Sequence, residues 1–271
     1  MRYARAMTPR SRRAVPRLSF CLATAAMLTL SLGAKVASAK TFLWEISGKK
    51  GRPTSYIMGS IHMGKKGFYP LPEAVQRAFR RSQVIVLEAR PDQGMAAMGA
   101  VMRSGMYAPP DGLQKHISKK AWALVKKKLA QNALVLAAVG QMKPWLAAIT
   151  ISALDLKAAG FDPKLGVEMH LLGKRGKRRV DFLEGLQKQM QFFSSFSDKL
   201  QEDFLVYTIE KGKEVNKMMP IMVRHWKRGD TRGLERLMRK AASDKRFKPI
   251  EKVLLGDRNK SMSKTIEGML T

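Results

Sequence analysis

Two short runs, Thr41 to Ser47 and Thr54 to Gly59, are rich in β-branched and aromatic residues, and Gly48-Lys-Lys-Gly-Arg-Pro53 between them is turn material. That pattern predicts a β-hairpin. Ala74, Val75, Ala78 and Phe79 then recur on one helical face behind Pro72, which suits the start of a helix. Gln83 to Leu87 is a continuous apolar run, expected to be a strand buried on both faces as in a parallel sheet. Strand, helix and strand in this order predict a right-handed crossover with parallel pairing.

From Pro91 to Leu172 the apolar positions follow a helical period. Lys143-Pro-Trp145 reads as a break or helix start, and Asp162-Pro163 as a cap and first turn. Val180 to Leu183 is a second core-strand candidate, followed by helices over Leu186 to Phe196, Lys199 to Trp226, Leu234 to Ala242 and Lys260 to Leu270. Pro220 is expected to kink the longest or to end one of its turns. Met218, Met219, Met222 and Trp226 share a helical spacing and read as adaptable core filler, not as a cofactor box.

Composition changes this picture at the amino terminus. Basic residues up to Arg17, the 16-residue apolar stretch Leu18 to Gly33, and Val36-Ala-Ser-Ala39 follow the layout of a secretory signal peptide, with cleavage expected after Ala39. The apolar stretch is shorter than the roughly 20 residues a spanning helix needs. Residues 1–39 are therefore assigned to a signal peptide and 40–271 to one exported domain, periplasmic or secreted, with no transmembrane helix. The single cysteine, Cys21, lies inside the signal, so disulfides, thiolate metal sites and a cysteine nucleophile drop out.

Charge is the next constraint. The chain carries 51 basic and 21 acidic residues, a formal +30, and cleavage would remove only seven basic residues and no acidic one. Such a field draws polyanions, among them acidic polysaccharide and lipid headgroups at an envelope surface. A solvated lysine-rich surface accounts for the same residues. The basic runs lack the interleaved aromatics of a single-strand binding groove, and export argues further against nucleic acid.

The candidate chemistry lies past strand ends. In a parallel sheet all carboxyl ends lie along one edge, so residues just beyond them converge although distant in sequence. His62 follows the strand ending at Gly59, Glu88 follows Val84 to Leu87, and Glu184 follows Val180 to Leu183. Imidazole and carboxylate are common ligands for zinc, manganese or cobalt, and a glutamate can take a proton from bound water. Gly59 and Gly64 suit sharp turns and close backbone approach. His170 is two residues from Glu168, on a different helical face; His116 and His225 read as surface or packing residues. Arg258 can hold a carboxylate through its planar fork, beside Asp257 as a helix cap.

The stretch from Phe42 through Gly59-Ser-Ile-His62 and Tyr69-Pro-Leu-Pro72 to Glu88 resembles the opening of the TraB/GumN family, which is related to Tiki-type metalloproteases. Lys143-Pro-Trp145, Gly160-Phe-Asp-Pro163, Gly166-Val-Glu168, Leu183-Glu184 with Gln189, and Asp257-Arg-Asn259 are similar to its later landmarks, in order. The resemblance implies a metal-dependent hydrolase, peptidase-like. The implied fold is α/β of the α+β kind, with a mixed, partly parallel central sheet, an N-terminal hairpin and flanking helices, similar to the erythromycin esterase and ChaN-like group. It makes His62, Glu88 and Glu184 the implied ligands of a divalent metal (Mn, Co or Zn), with Glu88, Glu184 and Arg258 catalytic. Such families carry a second G-x-x-H on a later strand, and no other histidine stands in that place before Thr271. Two readings stay open: an exported hydrolase acting on a peptide or other small substrate and impaired by the missing motif, or a non-catalytic periplasmic accessory protein linked to acidic exopolysaccharide or the envelope.

Overall fold

The computed structural model describes residues 41–46, 54–89, 94–241, 244, 248–251, 256 and 258–270. The assigned signal peptide, the hairpin turn at 48–53 and Asp257 lie outside them. The fold is α+β. Strands β1 (Leu43–Ile46) and β2 (Ser55–Met58) form the expected antiparallel hairpin, with Leu43 opposite Met58. Helix α1 (Glu73–Arg81) begins one residue after Pro72, with Glu73 in its first turn and Arg80 and Arg81 in its last, the arrangement a helix dipole favours.

Strand β3 (Val84–Leu87) pairs in parallel with β4 (Arg179–Phe182), but not with β2. Among the described residues the central sheet is therefore two separate two-stranded sheets. The connection through α1 does not close a β2–β3 ladder: β2 pairs with β1 and β3 with β4. Nor is β3 buried on both faces: Ile85 and Leu87 are buried while Val84 and Val86 are exposed. Only its inner face has Leu172, Phe79 and Phe182 to pack against.

Helices form the rest: α2 (Gly94–Gly105), α3 (Lys119–Lys128), α4 (Ala133–Gly140), α5 (Pro144–Ala158), α6 (Val167–Gly173), α7 (Leu186–Ser194), α8 (Asp198–Lys227), α9 (Thr231–Ala241), α10 (Lys248–Glu251) and α11 (Arg258–Leu270). Side chains of Ser118, Asn132 and Ser197 cap α3, α4 and α8, each accepting an otherwise orphaned amide. Pro144 opens α5, where its missing N–H costs nothing. Asp162 caps a short 3-10 turn at 163–165, so α6 starts at Val167, four residues later than Pro163 suggests. Helix α8 runs through Pro220 without ending.

Two apolar clusters hold these elements. One joins α3, α4, α5 and α8 through Val125, Val139, Ile151 and Leu205, all fully buried. The other joins the hairpin, α1, α6 and the end of α8 through Phe42, Leu43, Val75, Val167 and Trp226. Met219 packs on this second cluster, so the methionine stripe contributes core, as its spacing predicts. Trp226 also donates its indole N–H to the Gly59 carbonyl at 2.9 Å, fastening α8 to the end of the hairpin.

Candidate functional site

The parallel ladder of β3 and β4 continues one residue past both strands: Leu183 N donates to Leu87 O, and Glu184 N to Glu88 O, each at 2.9 Å. This backbone registry sets the two glutamates side by side. Arg258, the first residue of α11, spans them, its Nε 2.5 Å from Glu184 Oε1 and its Nη2 2.7 Å from Glu88 Oε2. The side chain of Glu184 is 1% exposed and that of Arg258 19%. A guanidinium fork is well matched to such a pair, since it offers several donors in one plane.

His62 reaches the same rim from the loop after β2. Its Nε2 lies 4.0 Å from Glu88 Oε2 and its Nδ1 2.8 Å from Glu168 Oε1. Glu168 sits in the first turn of α6 and also accepts a hydrogen bond from the Ser60 hydroxyl. The loop and α6 are joined by main-chain bonds, Gly64 N to Asp162 O and Val167 N to Ile61 O. Tyr69 Oη adds a bond to Leu165 O at 2.7 Å.

Two glycines make this approach feasible. A Cβ on Gly64 would fall 1.7 Å from Leu165 O, and one on Gly166 would fall 2.2 Å from His62 O. Both clashes are with backbone, which cannot swing aside. Gly59 differs, since its Cβ would meet Phe42 at an ordinary 3.4 Å; the sharp approach expected there is not required. Gly64→Ala is expected to destabilise the fold by about 1–3 kcal/mol, whereas Gly59→Ala stays within about 0.5 kcal/mol of the parent. Urea midpoints of the two variants check this, and equal midpoints would contradict it.

The network polarises its members. The hydrogen bond to Glu168 raises the pKa of His62 above its ordinary value; burial works against it, while the charges of Glu168 and Glu88 add to the rise and Arg258 opposes it. For Glu168, burial pushes upward, but the hydrogen bond and charge of His62, with the Ser60 hydroxyl, outweigh it and hold the carboxyl below its usual range. An ionised Glu168 therefore fixes Nδ1 as the protonated nitrogen of a neutral His62. Nε2 is then the lone-pair nitrogen, on a side chain that is 67% exposed.

All four residues singled out from sequence, His62, Glu88, Glu184 and Arg258, thus meet in one network. Glu168 and Ser60 belong to it as well, and strand-end reasoning passes over both. The other histidines stay apart from it. His116 bonds Asp111 and stacks on Tyr107, His225 bonds Asp230, and His170 stacks on Tyr69.

As folded, the donor set does not make a three-ligand metal centre. Glu184 is engaged by Arg258, Glu88 shares that guanidinium, and His62 Nδ1 is bonded to Glu168. Among the described residues no group of three or more His, Cys, Asp or Glu side chains is arranged to hold a metal ion. No described helix is long and apolar enough to cross a membrane. A sequence model of the TraB/PrgY/gumN family matches residues 42–271. No curated protein and no solved structure matches the chain.

Proposed function

This chain belongs to the TraB/PrgY/gumN family, and from that premise we propose that it is an exported hydrolase whose proton-moving group is the His62–Glu168 pair. The observation that carries this reading is a histidine with Nδ1 held by a partly buried carboxylate and Nε2 outside hydrogen-bond reach of Glu88, at 4.0 Å, on a side chain that is 67% exposed. A carboxylate in that position selects the tautomer and stabilises the imidazolium formed when Nε2 takes a proton. Water approaching Nε2 is the nucleophile: its oxygen bonds to the acyl carbon as its proton passes to Nε2, and the imidazolium returns that proton to the alcohol or amine that departs as the ester or amide bond breaks. Arg258 bridges Glu88 and Glu184 beside the histidine and holds the two carboxylates in place at the rim. The basic surface favours an anionic substrate or envelope surface around the site. The charged, apolar and small-residue order of residues 1–39 supports export.

A base works when deprotonated, so kcat/KM is expected to rise with pH through the raised pKa of His62, to the alkaline side of the ordinary 6.5. Glu168, held low, stays ionised across that rise. Protein recovered from the exported fraction, beginning at Lys40, is to be screened against ester and peptide substrates before and after dialysis with EDTA. Turnover that survives EDTA and follows this profile is expected. No turnover of any ester or amide would end the hydrolase reading in favour of a non-catalytic accessory role.

A second reading has the divalent metal implied by the family resemblance, on His62 Nε2 and Glu88. The 4.0 Å between those atoms favours it. It requires Arg258 to release Glu88 and Glu184, and activity that EDTA abolishes would establish it over the metal-free reading.

A further inference from the structure

On the other side of α6, between that helix and α1, lies a cleft of about 290 Å³. It belongs to neither the His62 network nor the strand ends. Its apolar wall is Leu71, Val75, Phe79 and Leu171, and three cations, Arg80, Lys174 and Arg178, stand round it. Among the described residues no carboxylate lines it. Glu73 bonds Arg80 from outside, at 2.6 Å on an exposed surface where such a pair is worth little.

Each cation also has a place in the fold, and all three border the cleft. Arg80 and Lys174 sit at the carboxyl ends of α1 and α6, where positive charge suits the helix dipole. That accounts for their position along each helix; between them lies an apolar cleft whose floor is the buried Leu71 and Val75 and whose sides are the part-exposed Phe79 and Leu171. Arg178 is held in place, its Nε bonded to Ser82 O and its Nη1 to Arg175 O, with its guanidinium 4.8 Å from the centre of the Phe79 ring. A guanidinium already oriented on an aromatic face loses little freedom when an anion arrives.

We infer that this cleft binds an amphiphilic monoanion, a carboxylate on a short alkyl or aryl body, with the body against Leu71, Val75, Phe79 and Leu171 and the head among Arg80, Lys174 and Arg178. Small-molecule sites have this make-up, mostly apolar with a few convergent polar groups. A cleft of about 290 Å³ suits a small ligand, and octanoate is a probe of that class. The inference stands independently of the hydrolase reading, since Glu168 and the cleft residue His170 lie on different faces of α6.

Octanoate, octylammonium and octanol share one body and differ only in the head. Titrated calorimetrically into the purified protein, octanoate is expected to bind with a Kd of the order of 10⁻⁴–10⁻³ M and at least tenfold more tightly than octylammonium. The double variant Arg80→Glu/Lys174→Glu, both positions exposed and so compatible with folding, should weaken octanoate at least tenfold while octanol changes less than about twofold. Octylammonium binding as tightly as octanoate overturns the proposal, as does no octanoate binding up to about 10 mM. Should the variant melt early, the comparison of the three heads on the parent protein decides alone.

Discussion

Replacing Arg258 by alanine is expected to cost the folded protein about 3–5 kcal/mol, the range for removing one partner of a buried ion pair. The cost comes from what stays behind. Glu184 is almost wholly out of solvent, and the β3–β4 ladder fixes it next to Glu88. Without the guanidinium, two neighbouring carboxylates lose the cation that bridges them. An exposed pair would lose only about 0.2–1 kcal/mol, so the magnitude distinguishes a buried clasp from a surface contact. Urea denaturation reads it as a lower midpoint at unchanged slope. The double variant Glu184→Gln/Arg258→Met should recover a good part of the loss, because it removes both charges together. A loss below about 1 kcal/mol for Arg258→Ala would show that the clasp does not hold the fold.

The second large effect is kinetic. His62→Ala is expected to lower kcat/KM by about 10²–10⁴, the usual contribution of a positioned general base. The imidazole is mostly exposed, but Glu168, 13% exposed, loses a partner and keeps Ser60, so the urea midpoint should fall by less than in Arg258→Ala. Added imidazole should restore part of the rate in this variant and none in the parent. That restoration is what a merely structural histidine could not produce. Glu168→Gln, which keeps the shape but gives up the negative charge opposite Nδ1, should fall between the two and flatten the pH profile. Parent-like turnover in His62→Ala would remove the imidazole from the chemistry.

Local pattern revealed the strands and most helices, because β-branched runs and a 3.6-residue apolar period are short-range properties. The convergence of Glu88 and Glu184 was legible for the same reason: two parallel strands that end in glutamate place them in register. His62 was reached by a weaker route, since β2 turns out to pair with β1, and the loop is carried to the rim by Gly64 and Gly166 packing against backbone. Contacts between segments a hundred residues apart leave no local signature. Glu168 shows this best. By local pattern it resembles any acidic residue in a helix's first turn, favoured there by the dipole; the Gly166-Val-Glu168 landmark marked the position without its role, and the docking of that turn on residues 61–64 gives it a histidine. The burial of β3 was misjudged because an apolar run reports that a strand has a core face without reporting whether its second face is covered.

The bridge from Arg258 to Glu88 and Glu184 also sets an order of events. Both glutamates are synthesised and can pair along their strands long before residue 258 exists. Until then like charge keeps that edge of the sheet loose, and the late-arriving cation acts as a latch. Molecules clipped between α9 and α11 would keep the apolar cores that end at α8 and α9 yet lose the latch, leaving this edge open to proteases at the place where the candidate site has to be rigid.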